Sequence, residues 1–166
     1  MTTVDTTTVA NQHRDMVRRN PARRLLRIGG SVLGLLVVAA VALSLWMSYI
    51  PSDLDYSTTR LTEQGLFEVS YTSDVDSVPV NQMQSWTLHI ETAAGQPVEN
   101  ATITVDGDMP QHGHGLPTRP QVTRNLGNGD YLVEGLKFHM PGWWVMDFAI
   151  TVNGQSDQVR FNMMLQ

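Results

Sequence analysis

The sequence predicts an all-β domain, a two-sheet antiparallel sandwich of about seven strands, preceded by one N-terminal transmembrane helix. Three observations carry this reading. Ile28 to Ile50 is a 23-residue run with no charge and no Pro. The chain after it alternates apolar and polar residues with a period of two, as half-buried strands do. Turn-forming residues separate the alternating runs.

Charge divides the 166 residues in the same places. Residues 1–27 carry six Arg and two Asp, residues 28–50 carry no charge, and residues 51–166 carry five basic and 14 acidic groups. The net charge of −5 therefore averages unlike segments. The acidic main part argues against a nucleic-acid partner, which calls for a basic face. The chain has no cysteine, which excludes a disulfide framework, a thiolate zinc site, a blue-copper centre and covalently attached haem.

Residues 1–27 read as a basic cytoplasmic tail. Its first twelve residues are Thr-rich without apolar periodicity, and residues 13–27 form a basic segment, broken at Pro21, suited to anionic lipid. Residues 28–50 read as the anchor. As a helix they span about 35 Å, against about 30 Å of hydrocarbon. Trp46 and Tyr49 suit the far interface, and Pro51 stops the helix. The flanking arginines place the N-terminus inside, so the C-terminal domain is expected on the periplasmic or extracytoplasmic face of a bacterial inner membrane. Ala40-Val41-Ala42 fits a signal-peptidase pattern, but the apolar run continues through Met47, which favours a retained anchor.

Residues 51–65 read as a linker and residues 66–166 as the sandwich. Runs around Phe67–Tyr71, Trp86–Ile90, Ala101–Val105, Tyr131–Val133, Trp144–Val152 and Val159–Leu165 alternate, with Val122–Leu126 the weakest. Residues 93–97, 127–130 and Asn153-Gly154 are the turns, and Asn-Gly suits a type I′ hairpin. This count and spacing suit an immunoglobulin-like sandwich, with a small barrel as the alternative.

Two segments break the alternation: Met109-Pro110-Gln111-His112-Gly113-His114-Gly115 and Phe138-His139-Met140-Pro141-Gly142-Trp143-Trp144. Thioether sulfur and imidazole nitrogen together suit Cu(I). In an extended stretch His112 and His114 point the same way, and glycines at 113 and 115 let the backbone bend around an ion. Met109, His112, His114, His139 and Met140 are the candidate ligands. Zinc fits less well unless Asp106 and Asp108 contribute. Against the metal stands a plainer reading, in which Gly-His-Gly is a solvated turn and the methionines fill core. Trp86 and Trp144 read as core, and His89 as a surface residue on the opposite face. Trp143 points opposite Trp144, so it is either a lid on the site or a partner-binding aromatic. No nucleophile elbow, H-E-x-x-H or phosphate loop is present, so no enzymatic activity is expected.

Gln96-Pro97-Val98, Met109-Pro110 with His112-Gly113-His114-Gly115, Gly129-Asp130-Tyr131, Gly135-Leu136 and Phe138 through Trp143 resemble the YtkA-like / FixH-like family of small membrane-anchored extracytoplasmic domains. The resemblance covers about residues 96–165. It implies an immunoglobulin-like sandwich similar to copper-resistance domains. It also implies a copper-binding accessory role in copper-enzyme (oxidase-type) assembly or copper homeostasis, with a copper-transporting ATPase, a copper enzyme or another membrane complex as partner. The matching positions for metal would be Met109, His112, His114 and Met140. The rival expectation is a metal-free structural or interaction subunit of a membrane complex, with Trp143 at the contact.

Overall fold

The computed structural model describes residues 21–75 and 77–166. The expected basic tail, up to residue 20, lies outside the described residues. Residues 49–166 form a compact unit, separate from the described residues that precede them.

The preceding residues hold α1, Pro21–Met47. What precedes Pro21, and with it the expected break there, lies outside the described residues. The helix ends at Met47, three residues before the end of the uncharged run, and the Ser48 hydroxyl donates to the carbonyls of Ser44 (2.9 Å) and Leu45 (3.2 Å). Such a bond satisfies carbonyls that a helix end leaves without partners. Its side chains are described only from residue 31 to 46, and among the described residues no helix is long and apolar enough to cross a membrane.

Among the described residues the compact unit 49–166 has nine strands in two antiparallel sheets. One sheet has the order β1-β2-β3-β7-β6, from Thr59–Leu61, Phe67–Ser73, Met83–Thr92, Asp130–Lys137 and Gln121–Gly127. The other has the order β5-β4-β8-β9, from His114–Gly115, Thr102–Met109, Gly142–Val152 and Gln155–Leu165. The seven expected strands are all present. The two additions, β1 and β5, are too short to show a period, and β1 falls inside the expected linker. β6 gave the weakest signal because it is an edge strand, mostly exposed.

One core lies between the sheets. Val69, Trp86, Leu88, Ile90 and Val133 face Met109, Trp144, Met146, Phe148, Ile150 and Phe161 across it. Tyr131 belongs to the same core, and its hydroxyl donates to Val98 O (2.7 Å) and accepts from Ala101 N (2.9 Å), pinning the crossover from β3 to β4. His89 lies on the outer face as expected, held between Asp130 (2.6 Å) and Glu91 (3.2 Å). The Asp130 hydrogen bond, working against partial burial and helped by Glu91, raises its pKa.

A bulge in β7 decides what reaches the far end of the core. Gln84 pairs with Leu136 and Ser85 with Glu134, so Gly135 is the extra residue, with φ +87°. An extra residue shifts the phase of a strand by one. Tyr131 and Val133 face inward before the bulge, and Leu136 and Phe138 after it. Phe138 stacks on Trp86 and meets Trp144 edge-on.

Asp157 is a buried carboxylate in phase with the inward residues of β9. It accepts from the backbone N–H of Gln64 (3.1 Å), Leu66 (3.2 Å) and Gln158 (2.8 Å), so it ties the β1–β2 turn to β9. Burial opposes its charge, but the hydrogen bonds outweigh burial and its pKa is lowered. A carboxylate with a depressed folded pKa stabilises the fold above the ordinary carboxylate range, and that stability is lost as pH falls through the folded value. Asp157→Ala should cost about 1–3 kcal/mol at neutral pH by stranding those donors. Urea unfolding at pH 7 and pH 3 checks this: the gap between wild type and variant should narrow at the lower pH.

Candidate metal site

The two segments that break the alternation meet at one end of the sandwich. β4 ends on Met109, whose carbonyl accepts from the N–H of His112 (3.0 Å) and of Gly113 (2.9 Å), closing a tight turn. Gly113 supplies the positive φ (+66°) that this turn needs, and the chain returns as β5, with His114 paired to Met109. His112 therefore sits in a turn rather than in an extended stretch, yet its ring still stacks on that of His114, with centroids 5.6 Å apart and planes 16° apart. From the other segment, His139 brings its ring to 4.7 Å from that of His114. Trp144 forms the floor, edge-on to His139 at 5.4 Å, and its Nε1 donates to Met140 O (3.0 Å).

His112 and His114 are exposed, while His139 is half-buried. Its Nδ1 is buried and has no hydrogen-bond partner among the described residues. Burial first, then the nearby His114 and Lys137, lowers the His139 pKa and keeps the ring neutral, the form in which imidazole offers a lone pair. Ligating nitrogens lie about 2.0–2.1 Å from a late first-row ion, so two rings sharing one ion hold their centroids within about 6 Å. Both measured separations fall inside that limit. The rings are near one another without forming a finished cage: among the described residues no group of three or more His, Asp or Glu is set to hold a metal ion.

The methionines contribute unequally. Met140 is half-buried and packs against the core. Met109 is 0% exposed and faces inward with Val105 and Gly107. Its Cε lies 2.9 Å from where a Cβ on Gly142 would stand, so the missing side chain at 142 makes room for the thioether. Asp106 and Asp108 alternate with those inward residues and lie on the outer face of β4, away from Met109. There Asp106 is opposite Asp147, which Arg160 holds through two bonds of 2.8 and 2.9 Å. Burial, then Asp147, raises the Asp108 pKa.

Trp143 does not cover the histidines. It lies on the outer face of β8, half-buried, and its Nε1 donates to Asn162 Oδ1 on β9 (3.1 Å). Asn162 in turn donates to Asp55 O (3.1 Å). The aromatic wall of the site is Trp144, which the alternation had assigned to the core alone. Gly135 and Gly142 also shape the site, and neither stood out as more than part of a motif, because a bulge and a close approach are not visible in a residue pattern.

A family model described as YtkA-like matches residues 67–148. This region belongs to the YtkA-like family. The match runs from β2 into β8, so the YtkA-like part contains both site segments, whereas β1 and β9 lie outside it. It begins earlier and ends earlier than the resemblance read from the motifs. No curated protein matches the chain. Among solved structures, the ZirS C-terminal domain is similar at 12% identity, with a TM-score of 0.37 over 69% of this chain and 81% of that one.

Proposed function

We propose that this protein is a membrane-anchored, extracytoplasmic copper-binding accessory protein with an immunoglobulin-like YtkA-like domain, serving copper-enzyme assembly or copper homeostasis. The observation that carries the reading is the approach of His139, whose buried Nδ1 has no partner among the described residues, to the exposed ring of His114, on which His112 stacks. Copper is cargo here. Imidazole and thioether bind Cu(I) softly enough to exchange it with a partner, and a site at an exposed edge lets the partner approach. His112, His114 and His139 would hold the ion from the open side, with Met140 beside them and Met109 beneath Gly142.

The anchor is supported by the uncharged run Ile28–Ile50 and by the exposure of its side chains. Leu33 (64%), Leu35 (70%) and Leu45 (66%) are open to their surroundings, and a helix apolar on all sides calls for a nonpolar environment. The arginine-rich flank supports an inside N-terminus.

The test is a Cu(I) titration of the compact unit 49–166 against a competing chelator under reducing conditions. Wild type should bind stoichiometrically, and His114→Ala or His139→Ala should weaken binding by roughly 100-fold, at or above the upper end for losing a supporting ligand contact. Failure of the folded wild type to compete for the ion would sink the reading. A second reading, a metal-free interaction subunit, is favoured by the pairing of Trp143 with the 41% exposed Met164 across β8 and β9. It expects Trp143→Ala to weaken co-purification with a membrane complex while metal content stays unchanged.

A further inference from the structure

We infer that the aromatic column running from the histidines through the core to Tyr71 is a path for oxidising equivalents. Beyond His139, each ring meets the next: Trp144 at 5.4 Å, then Phe138 at 5.2 Å, Trp86 at 5.9 Å and Tyr71 at 4.6 Å, the last pair stacked with planes 13° apart. Phenylalanine is too hard to oxidise to carry charge itself, so the electron passes between Trp144 and Trp86 with Phe138 filling the gap.

The hydrogen bonding at each station sets the direction. Trp86 Nε1 is buried with no partner among the described residues, and Trp144 Nε1 meets only a backbone carbonyl. Neither indole radical cation has a base to take its proton, so each remains a strong oxidant that draws an electron from the next ring. Tyr71 is half-buried at the end of the column and can release its phenolic proton to water. The source of the oxidant rests on the copper reading above, whereas the path does not. A one-electron oxidant of high potential, such as peroxide would generate at bound copper, would take an electron from Trp144 through the His139 ring that it contacts and be reduced by one electron. Trp144 is restored by Trp86, and Trp86 by Tyr71, which loses an electron, passes its proton to water and ends as a neutral tyrosyl radical. The path thereby carries the oxidising equivalent away from the histidines to a half-buried residue that external reductants can reach.

The test needs no copper. A ruthenium(II) bis(bipyridine) label is coordinated to His114 in the full chain, in a His13→Gln/His112→Gln background, with its position checked by peptide mass. It is then photo-oxidised by flash with hexaammineruthenium(III) as quencher. A tyrosyl radical should appear by transient absorption and freeze-quench electron paramagnetic resonance. Tyr71→Phe, which keeps the stacked ring, should reduce that signal more than tenfold and leave a longer-lived tryptophan radical. Trp86→Phe should reduce the tyrosyl yield more than tenfold, and if that variant does not fold, Tyr71→Phe decides alone. An unchanged tyrosyl signal in Tyr71→Phe, or no protein radical in wild type, overturns the path. If the copper titration fails while the radical forms as expected, only the proposed source falls.

Discussion

Trp144→Ala is expected to destabilise the sandwich by about 3–5 kcal/mol, the cost of truncating a large buried aromatic. Trp144 is fully buried between the sheets, meets Phe138 edge-on and supports the His139 ring. Its removal opens a cavity and strands the Met140 carbonyl that its Nε1 now serves. Urea unfolding followed by near-ultraviolet circular dichroism measures the loss. Trp144→Phe keeps most of the packing without the indole N–H and should lose less. A loss below about 1 kcal/mol for the alanine variant would contradict the placement of this ring, because surface substitutions alone stay near that range. Where Trp144→Phe leaves the domain folded, Cu(I) affinity should drop only modestly, since the indole supports a candidate ligand without being one.

Gly129→Ala is expected to cost about 2–4 kcal/mol, more than the about 1–2 kcal/mol that a left-handed backbone conformation alone imposes on an L-residue. Gly129 has φ +80°, and a Cβ there would stand 2.6 Å from the Ile90 carbonyl oxygen. Its own carbonyl accepts from Ile90 N (2.9 Å), so the β6–β7 turn rests directly on β3 and cannot move aside cheaply. Gly127→Ala is the internal control: it has φ +84° with nothing within 4 Å of its added Cβ. That variant should show the conformational cost alone. Equal midpoints for the two variants in thermal unfolding would show that the close approach to Ile90 carries no cost.

The difference between these two glycines shows what a residue pattern can and cannot convey. Gly127-Asn128-Gly129 is legible as a turn, because positive φ is cheap only for Gly and Asn, and all three residues adopt it. Which of the two glycines also touches a neighbouring strand depends on β3, roughly 40 residues away in the chain. The same holds for Asp157. Its place among alternating residues assigns it to the inner face, where a carboxylate looks out of place, and only the three backbone donors gathered around it explain why it is tolerated there.

The candidate site divides similarly. His112, His114, His139, Met109 and Met140 are legible as an unusual accumulation of soft and borderline ligands in two breaks of the strand pattern. That the breaks face one another follows from β4 pairing with β8 in one sheet, with His139 leading directly into the start of β8. The sequence puts Trp143 and Trp144 on opposite faces, but it offers Trp143 rather than Trp144 as the aromatic over the site. The strand's alternation separates them, and the structure turns Trp144 toward the histidines and Trp143 toward Asn162.

By itself the sequence determined what depends on local periodicity and local conformational preference: an uncharged helical run, an all-β domain, the phase of most strands, the hairpin turns and the membership of the core. These follow from neighbours one to four residues apart, whose spacing the backbone geometry makes regular. The tertiary structure decided what depends on partners distant in the chain: the division into two sheets, the two short strands, the bulge at Gly135 that turns Phe138 inward, the room at Gly142 for Met109, and the meeting of His114 with His139. Each of these is a contact between segments brought together by strand pairing, and no local pattern encodes which segments those are.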